Sequence, residues 1–139
     1  MKDINIIIDQ FFIGRNITIR TILGSCVSIC LFDEVTGLIG MNHSLNKKSN
    51  EILSLKMLKE MRKLTSNKLK AKLFDGIISN MNLTTKIAND NIKFSEEFLK
   101  KENIKIVEKD ISGYFGRFLT FNSLDFSVKV RKIKKQITK

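Results

Sequence analysis

Proline and tryptophan are absent from the 139 residues, histidine occurs once and cysteine only twice. Without proline there is no Pro-rich spacer. No repeat, low-complexity segment or Gly/Ser-rich hinge is visible either, so the length points to a single domain over residues 1–139. One His and two Cys cannot make a four-ligand zinc site without carboxylates at unusual spacing. Cys26 and Cys30 lie four residues apart. On a strand they would share a face but sit about 13 Å from each other, too far for a disulfide, and a reducing cytoplasm disfavours one in any case. No stretch reaches the roughly 18 apolar residues of a membrane span; the longest apolar windows, such as INIIIDQFFI at 4–13, are broken by Asn and Asp. No basic region leads into a clean apolar run at the N-terminus. No signal peptide is therefore read, and the expectation is a cytoplasmic chain without membrane insertion.

Hydrophobic residues make up 42% of the chain, which argues against intrinsic disorder. A chain of this size buries roughly two-thirds of its unfolded surface and needs no staple. The net charge of +11 invites a nucleic-acid reading, but the charge is uneven. Residues 1–46 carry net −1, 47–72 carry +7, 73–110 carry −1, 111–128 balance, and 129–139 carry +6. Of the 25 basic residues 20 are Lys, whereas base and phosphate readers favour Arg forks. The excess reads as a solubilising helix plus a basic C-terminal strand or tail at 129–139, and nucleic acid is not the expected partner.

Hydrophobic periodicity divides the chain into short elements. Strands are predicted at 4–8 (buried), 17–22, 26–33, 38–43, 71–78, 104–108, 117–122 and 126–133. Turns are predicted at 34–37, where Gly37 can supply a positive φ, and at 122–125. Amphipathic helices are predicted at 51–65, capped by Ser49 or Asn50 and facing inward with Leu53, Met57, Met61 and Leu64, and at 87–101, facing inward with Ile87, Asn91, Phe94 and Phe98. The fold class is α+β: layered β-sheets with helices packed outside.

Cys26 opens one predicted hairpin arm, directly after Gly24 and Ser25, and His43 closes the next. In an antiparallel hairpin those ends are spatial neighbours. A thiol beside an imidazole is a nucleophile pattern, because a nearby imidazolium lowers the thiol pKa. Gly24 lets a substrate approach the backbone, and N–H groups around Ser25 and Cys26 suit an oxyanion. A hydroxyl from Thr18 or Thr21 could hold the second ring nitrogen of His43. The same residues also fit a core thiol and a structural His. Cys30, inside the strand, reads as core.

The string Thr21 to Asp33 (TILGSCVSICLFD), followed by Gly40-Met41-Asn42-His43, resembles the CheD family, the chemoreceptor glutamine deamidases of chemotaxis. Ala71 to Phe74, Ile87 to Asn91, Glu97 to Asp110 and Gly113 to Phe121 carry the resemblance along the chain. It implies a fold similar to the toxin-type cysteine deamidases and a Cys–His–Thr triad: Cys26 as nucleophile, His43 as general acid/base, Thr21 orienting His43. In the family the Thr precedes the Cys by five or six residues; here these are Thr21 and Arg20. The chain departs from the pattern at Ser44 to Lys47, where an apolar stretch ending in Pro is usual, at Asp75 for the first Gly of a Gly-rich loop (Gly76 is kept), and at Asp90 for an Arg. The resemblance implies hydrolysis of receptor glutamines to glutamate without metal or organic cofactor. It implies the cytoplasmic domain of chemoreceptors as substrate and a CheC-type phosphatase as partner. An alternative under the same resemblance is a mainly non-catalytic regulator of that phosphatase.

Overall fold

A computed structural model describes residues 1–76, 82–111 and 116–133, apart from the side chains of 82–85. In chain order the elements are β1 (Lys2–Asn5), β2 (Gln10–Gly14), β3 (Ile17–Leu23), β4 (Val27–Phe32), β5 (Ile39–His43), α1 (Lys47–Leu64), β6 (Lys70–Asp75), α2 (Asn82–Lys101), β7 (Lys105–Asp110), β8 (Gly116–Asn122) and β9 (Val128–Ile133). They form a four-stranded sheet, ordered β1-β3-β8-β9, and a five-stranded sheet, ordered β2-β5-β4-β6-β7. The β1/β3 and β6/β7 pairs are parallel; the other strand pairs are antiparallel.

Strand alternation decides the layering, because successive side chains leave opposite faces. From β4, Cys30 and Phe32 face the four-stranded sheet and join Ile19, Leu23, Met41, Leu119 and Phe121 in an inter-sheet core. Val27, Ile29 and Leu31 leave the other face and pack with Met57, Leu58, Met61, Ile92 and Leu99 of the helices. Each such burial contributes about 1.5–3 kcal/mol. The order is sheet, sheet, helices, as the α+β reading expects. Among the described residues no helix is long and apolar enough to cross a membrane.

Four local expectations are corrected. The buried strand at 4–8 is an edge strand ending at Asn5; Ile6 is buried, but Ile7 and Ile8 are 66% and 45% exposed. The chain turns there into β2, which the sequence analysis did not anticipate because QFFIG shows no period-2 alternation. Helix α1 begins four residues early. Its N-cap is Asn46, whose side chain accepts from the Ser49 N–H at 3.0 Å while the Asn46 N–H donates to Ser49 Oγ at 3.2 Å. Ser49 thus occupies the N3 position of a capping box worth about 1 kcal/mol. The buried helix faces agree with those predicted at Met57, Met61 and Asn91 but are rotated elsewhere: Asn50, Ser54 and Leu58 are also buried on α1 while Leu64 is exposed, and Ala88, Ile92, Ser95 and Leu99 are also buried on α2 while Ile87 is exposed. Small polar residues replace apolar ones on these stripes, which displaces the hydrophobic pattern. The end of the predicted strand at 71–78 lies partly outside the described residues, as does the tail beyond 133.

Asp33 holds the β4–β5 turn. Its buried carboxylate accepts from the Val35 N–H, Thr36, Thr65 and Asn67, and these bonds outweigh burial and bring its pKa down to about 2. Gly37 closes the turn with φ 79, a conformation that suits glycine. A carboxyl depressed on folding adds stability above its unfolded pKa, near 3.8, and that share is lost as pH falls toward 2. Asp33→Ala strands four donors and is expected to cost about 2–4 kcal/mol at pH 7, with a smaller difference from wild type at pH 2.5. Urea unfolding at the two pH values measures both.

Candidate functional site

The β3–β4 connection carries the chain from one sheet to the other, and it consists of Gly24, Ser25 and Cys26. Thr21 faces inward from β3, two residues before the crossing. His43 ends β5 in the opposite sheet. Continuing the β4/β5 register, Val27 bridges Ser44, with the Val27 N–H donating to the Ser44 carbonyl at 3.0 Å and the Ser44 N–H returning to Val27 at 2.8 Å. Cys26 and His43 are therefore diagonal cross-strand neighbours on the inter-sheet face. Thr21, Cys26 and His43 line one cavity of about 560 Å³, with Gly24, Ser25, Ile6 and Arg20 also in its wall.

Thr21 Oγ1 lies 2.7 Å from His43 Nδ1 and 2.9 Å from the Ile6 carbonyl oxygen. A hydroxyl has one hydrogen. It donates to the carbonyl, which can only accept, so Nδ1–H must donate to Thr21. That assigns the Nδ1–H tautomer and leaves Nε2 as the basic nitrogen. Nε2 is buried and has no partner among the described residues. Thr18, the other candidate, sits on the opposite face of β3 and donates to the Asp3 carboxylate.

Burial sets the charge state of the pair. It pushes the Cys26 thiol up to about 11, with the nearby Asp9 carboxylate adding to the effect. It lowers His43 from 6.5, with Asp9 opposing. The pair rests as neutral thiol and neutral imidazole, not as the ion pair that the sequence pattern alone suggests. Asp9 has φ 59, which Asp tolerates. Its N–H donates to the His43 carbonyl and its carboxylate accepts from the Leu45 N–H at 3.2 Å. Cys30 is fully buried, its thiol pushed up to about 12, and it lies in the core as read.

The two neighbours of His43 point into the helix layer and anchor it there. Asn42 accepts from the Ile29 N–H at 2.8 Å and donates to Ser54 Oγ at 3.0 Å. Ser54 donates to Asn50, and the Asn50 amide donates to Asn91 Oδ1 and Ser95 Oγ, each at 2.7 Å. Asn91 returns to the Ser44 carbonyl at 3.1 Å. This buried polar chain ties the end of β5 to both helices. The sequence analysis missed its role and that of Asp9; the legible signal was the Asn50/Ser54 and Asn91/Ser95 pairs at i, i+4 on the buried faces. On the other side of the crossing, the Gly76 N–H donates to the Cys26 carbonyl at 3.1 Å. A Cβ on Gly76 would stand 1.7 Å from the Gly24 carbonyl oxygen, whereas one on Gly24 would meet nothing within 4 Å. Gly76 is the close packing partner of the Cys26 loop, and Gly24 leaves its side of the cavity open.

Residues 51–132 match the family model described as CheD chemotactic sensory transduction. The chain belongs to the CheD family. A Shewanella oneidensis protein named "Probable chemoreceptor glutamine deamidase CheD 2" is 33% identical over 145 residues, an alignment spanning 86% of this chain and 71% of that one. A Geobacter sulfurreducens protein, "Probable chemoreceptor glutamine deamidase CheD 1", is 35% identical over 85% of this chain and 70% of its own. An archaeal relative from Methanosarcina acetivorans is 32% identical over 94% of this chain. The residues matched by the CheD model start beyond Cys26 and His43, so the geometry around those two side chains is an observation independent of that match.

The chain's one histidine titrates alone in a proton NMR spectrum. His43 is expected to titrate below 6.5, and lower still in Asp9→Asn, which keeps an acceptor for Leu45 but removes the charge. A midpoint at or above 6.5 in the wild type contradicts the neutral-pair assignment.

Proposed function

We propose that residues 1–139 act as one domain that deamidates glutamine side chains of chemoreceptors, with Cys26 as nucleophile, His43 as general acid/base and Thr21 orienting the imidazole. The observation that carries this reading is the pair of hydrogen bonds on Thr21, which leaves His43 Nε2 basic and unpartnered in the same cavity as Cys26.

The chemistry runs in two halves. Nε2 takes the thiol proton as Cys26 Sγ bonds to the side-chain carbonyl carbon of the glutamine. Charge develops on the carbonyl oxygen, and N–H groups of the Gly24–Cys26 loop stabilise it. The C–N bond breaks, the Nε2 proton goes to the departing nitrogen, and ammonia leaves a thioester on Cys26. Nε2 then deprotonates a water molecule, whose oxygen attacks the thioester carbon. The C–S bond breaks, the thiolate recovers its proton from the imidazolium, and glutamate is released. One water is consumed and one ammonia formed. Because the imidazole must be neutral at the start, its lowered pKa keeps the base competent at mildly acidic pH. Throughout, Thr21 fixes the ring so that Nδ1–H stays engaged while Nε2 cycles its proton.

Mass spectrometry of a receptor cytoplasmic fragment incubated with the protein tests the assignment. Wild type is expected to convert specific Gln to Glu, and Cys26→Ala to convert none. His43→Ala is expected to slow the reaction by about 10²–10⁴. Thr21→Ala is expected to fall between that and wild type, with Thr21→Ser restoring most of the rate. The acid limb of the rate profile is expected below pH 6.5. Conversion by Cys26→Ala equal to wild type would overturn the reading.

A further inference from the structure

The outer face of the four-stranded sheet carries a cationic cluster that the mechanism above does not use. The register places Arg20, Thr120 and Lys129 in one cross-strand row and Ile22, Phe118 and Arg131 in the next. The Arg20 and Arg131 guanidinium carbons lie 5.1 and 5.0 Å from the Phe118 ring centroid. A guanidinium packed on a ring is held in place while its edge N–H groups stay available for a planar anion. Arg20 has one acidic partner, Asp3, at a loose 3.5 Å, and its Nε is buried without a partner. Among the described residues, Lys129 and Arg131 form no salt bridge. A cleft of about 530 Å³ is lined by Arg20, Phe118, Thr120, Lys129 and Arg131, and it shares Arg20 and Phe118 with the cavity that holds Cys26 and His43.

We propose that this cleft is an anion subsite continuous with the active-site cavity, receiving carboxylate side chains of the protein substrate that flank the target glutamine on a helix. The proposal rests on the deamidase reading of the Cys26 cavity. Arg20 pairs loosely with Asp3 and Lys129 lies within electrostatic range of Asp125, so three cations face two acids and the remaining positive charge favours an acidic partner. Spacing fits as well. Carboxylates three or four positions from the glutamine lie about 5–6 Å from it on the same helix face, and Arg20, which lines both cavities, is placed to receive one. Arg131 and Lys129, two strands further, stand about 10 Å beyond Arg20, which matches a second carboxylate about seven positions beyond the first, two helical turns further. A single-stranded nucleic acid is the less suitable occupant, because it binds by stacking on free aromatic faces and Phe118 already carries a guanidinium from each neighbouring strand.

The test uses two antiparallel helical-hairpin proteins that present one exposed glutamine. One carries Glu at the fourth and eleventh following positions and the other carries Ala there. Binding to the Cys26→Ala protein is read by fluorescence anisotropy, and turnover by the wild type is read by mass spectrometry. The acidic hairpin is expected to bind at least about ten-fold more tightly at low salt, the advantage shrinking at high ionic strength. The surface double variant Lys129→Gln/Arg131→Gln is expected to lose that advantage through KM, with kcat and the neutral hairpin unaffected. Deamidation of both hairpins with no preference for the acidic one would overturn the subsite and leave the deamidase reading intact. Charge-selective binding of the acidic hairpin without conversion would support the subsite and count against the deamidase reading. Equal losses on both hairpins in the double variant, or loss of oligonucleotide binding alone, would also overturn the subsite.

Discussion

One hydrogen bond, Thr21 Oγ1 to His43 Nδ1 at 2.7 Å, joins the two sheets at the cavity, and the neighbouring structure serves to keep it. Thr21 has a short side chain, so it reaches an imidazole on the facing strand only if the sheets stay at the separation their shared core allows. Ile19, Leu23, Met41 and Phe121 set that separation from the middle of the core. Interiors are packed densely enough that a single extra methylene is felt. The Ile6 carbonyl then takes the one hydroxyl proton, and the tautomer of a ring in the other sheet follows from a backbone group four residues beyond the start of β1's pairing with β3. The site is a property of the interface between sheets rather than of any one strand.

The pieces that carry Cys26 and His43 are each gripped from outside that interface. His43 is flanked by Asn42 and Ser44, which alternate to the helix side and enter the Asn50–Ser54–Asn91–Ser95 network. Asn42, Asn50, Ser54, Asn91 and Ser95 are all bonded within it, and a satisfied polar chain rigidifies its members; Ser44 joins through its carbonyl alone, its Oγ having no partner among the described residues. The Cys26 loop is gripped through Gly76, where the absence of a Cβ lets two backbones approach. Burial of both side chains favours the neutral thiol and neutral imidazole as the resting pair, since an ion pair in such surroundings must recover a desolvation cost of several kcal/mol per ion. In the proposed mechanism this calls for proton transfer concerted with attack rather than a standing thiolate.

The sandwich was legible in Val27, Ile29 and Leu31 against Cys26, Ser28, Cys30 and Phe32, because an alternating strand with apolar residues on both faces must lie between two packed layers. Cys26 and His43 were legible as neighbours because hairpin geometry is local; position alone left Thr18 and Thr21 both open, and only the family resemblance pointed to Thr21. What was not legible arises from contacts distant in sequence. Asp9 approaches His43 only because β2 pairs with β5, and QFFIG carries no alternation to announce β2. The helix faces were placed correctly at Met57, Met61 and Asn91 and missed elsewhere, because Asn50, Ser54 and Ser95 on the buried stripes are polar residues held by a network no periodicity reveals. The thiol's protonation was misjudged because burial of the site, not its pairing, dominates.

The distribution of charge along the chain had a similar limit. Residues 1–46 are slightly acidic and 129–139 strongly basic, which separates the basic segment from the chemistry when the chain is read as a line. Sheet order removes that separation: β9 pairs with β8, β8 with β3, and β3 runs directly into Cys26. Lys129 and Arg131 therefore share a face with Arg20, which contributes to the wall of the cavity itself. Most of the Lys-rich excess at 47–72 belongs to α1, in a layer on the far side of the five-stranded sheet from the inter-sheet core. Of the basic residues, topology brings Lys129 and Arg131 of β9 to the outer sheet face beside the cavity, where a Debye length of about 8–10 Å is comparable to the two-strand distance. Charges at that range act on whatever enters the cavity, so the positive charge of the chain bears on substrate choice through β9.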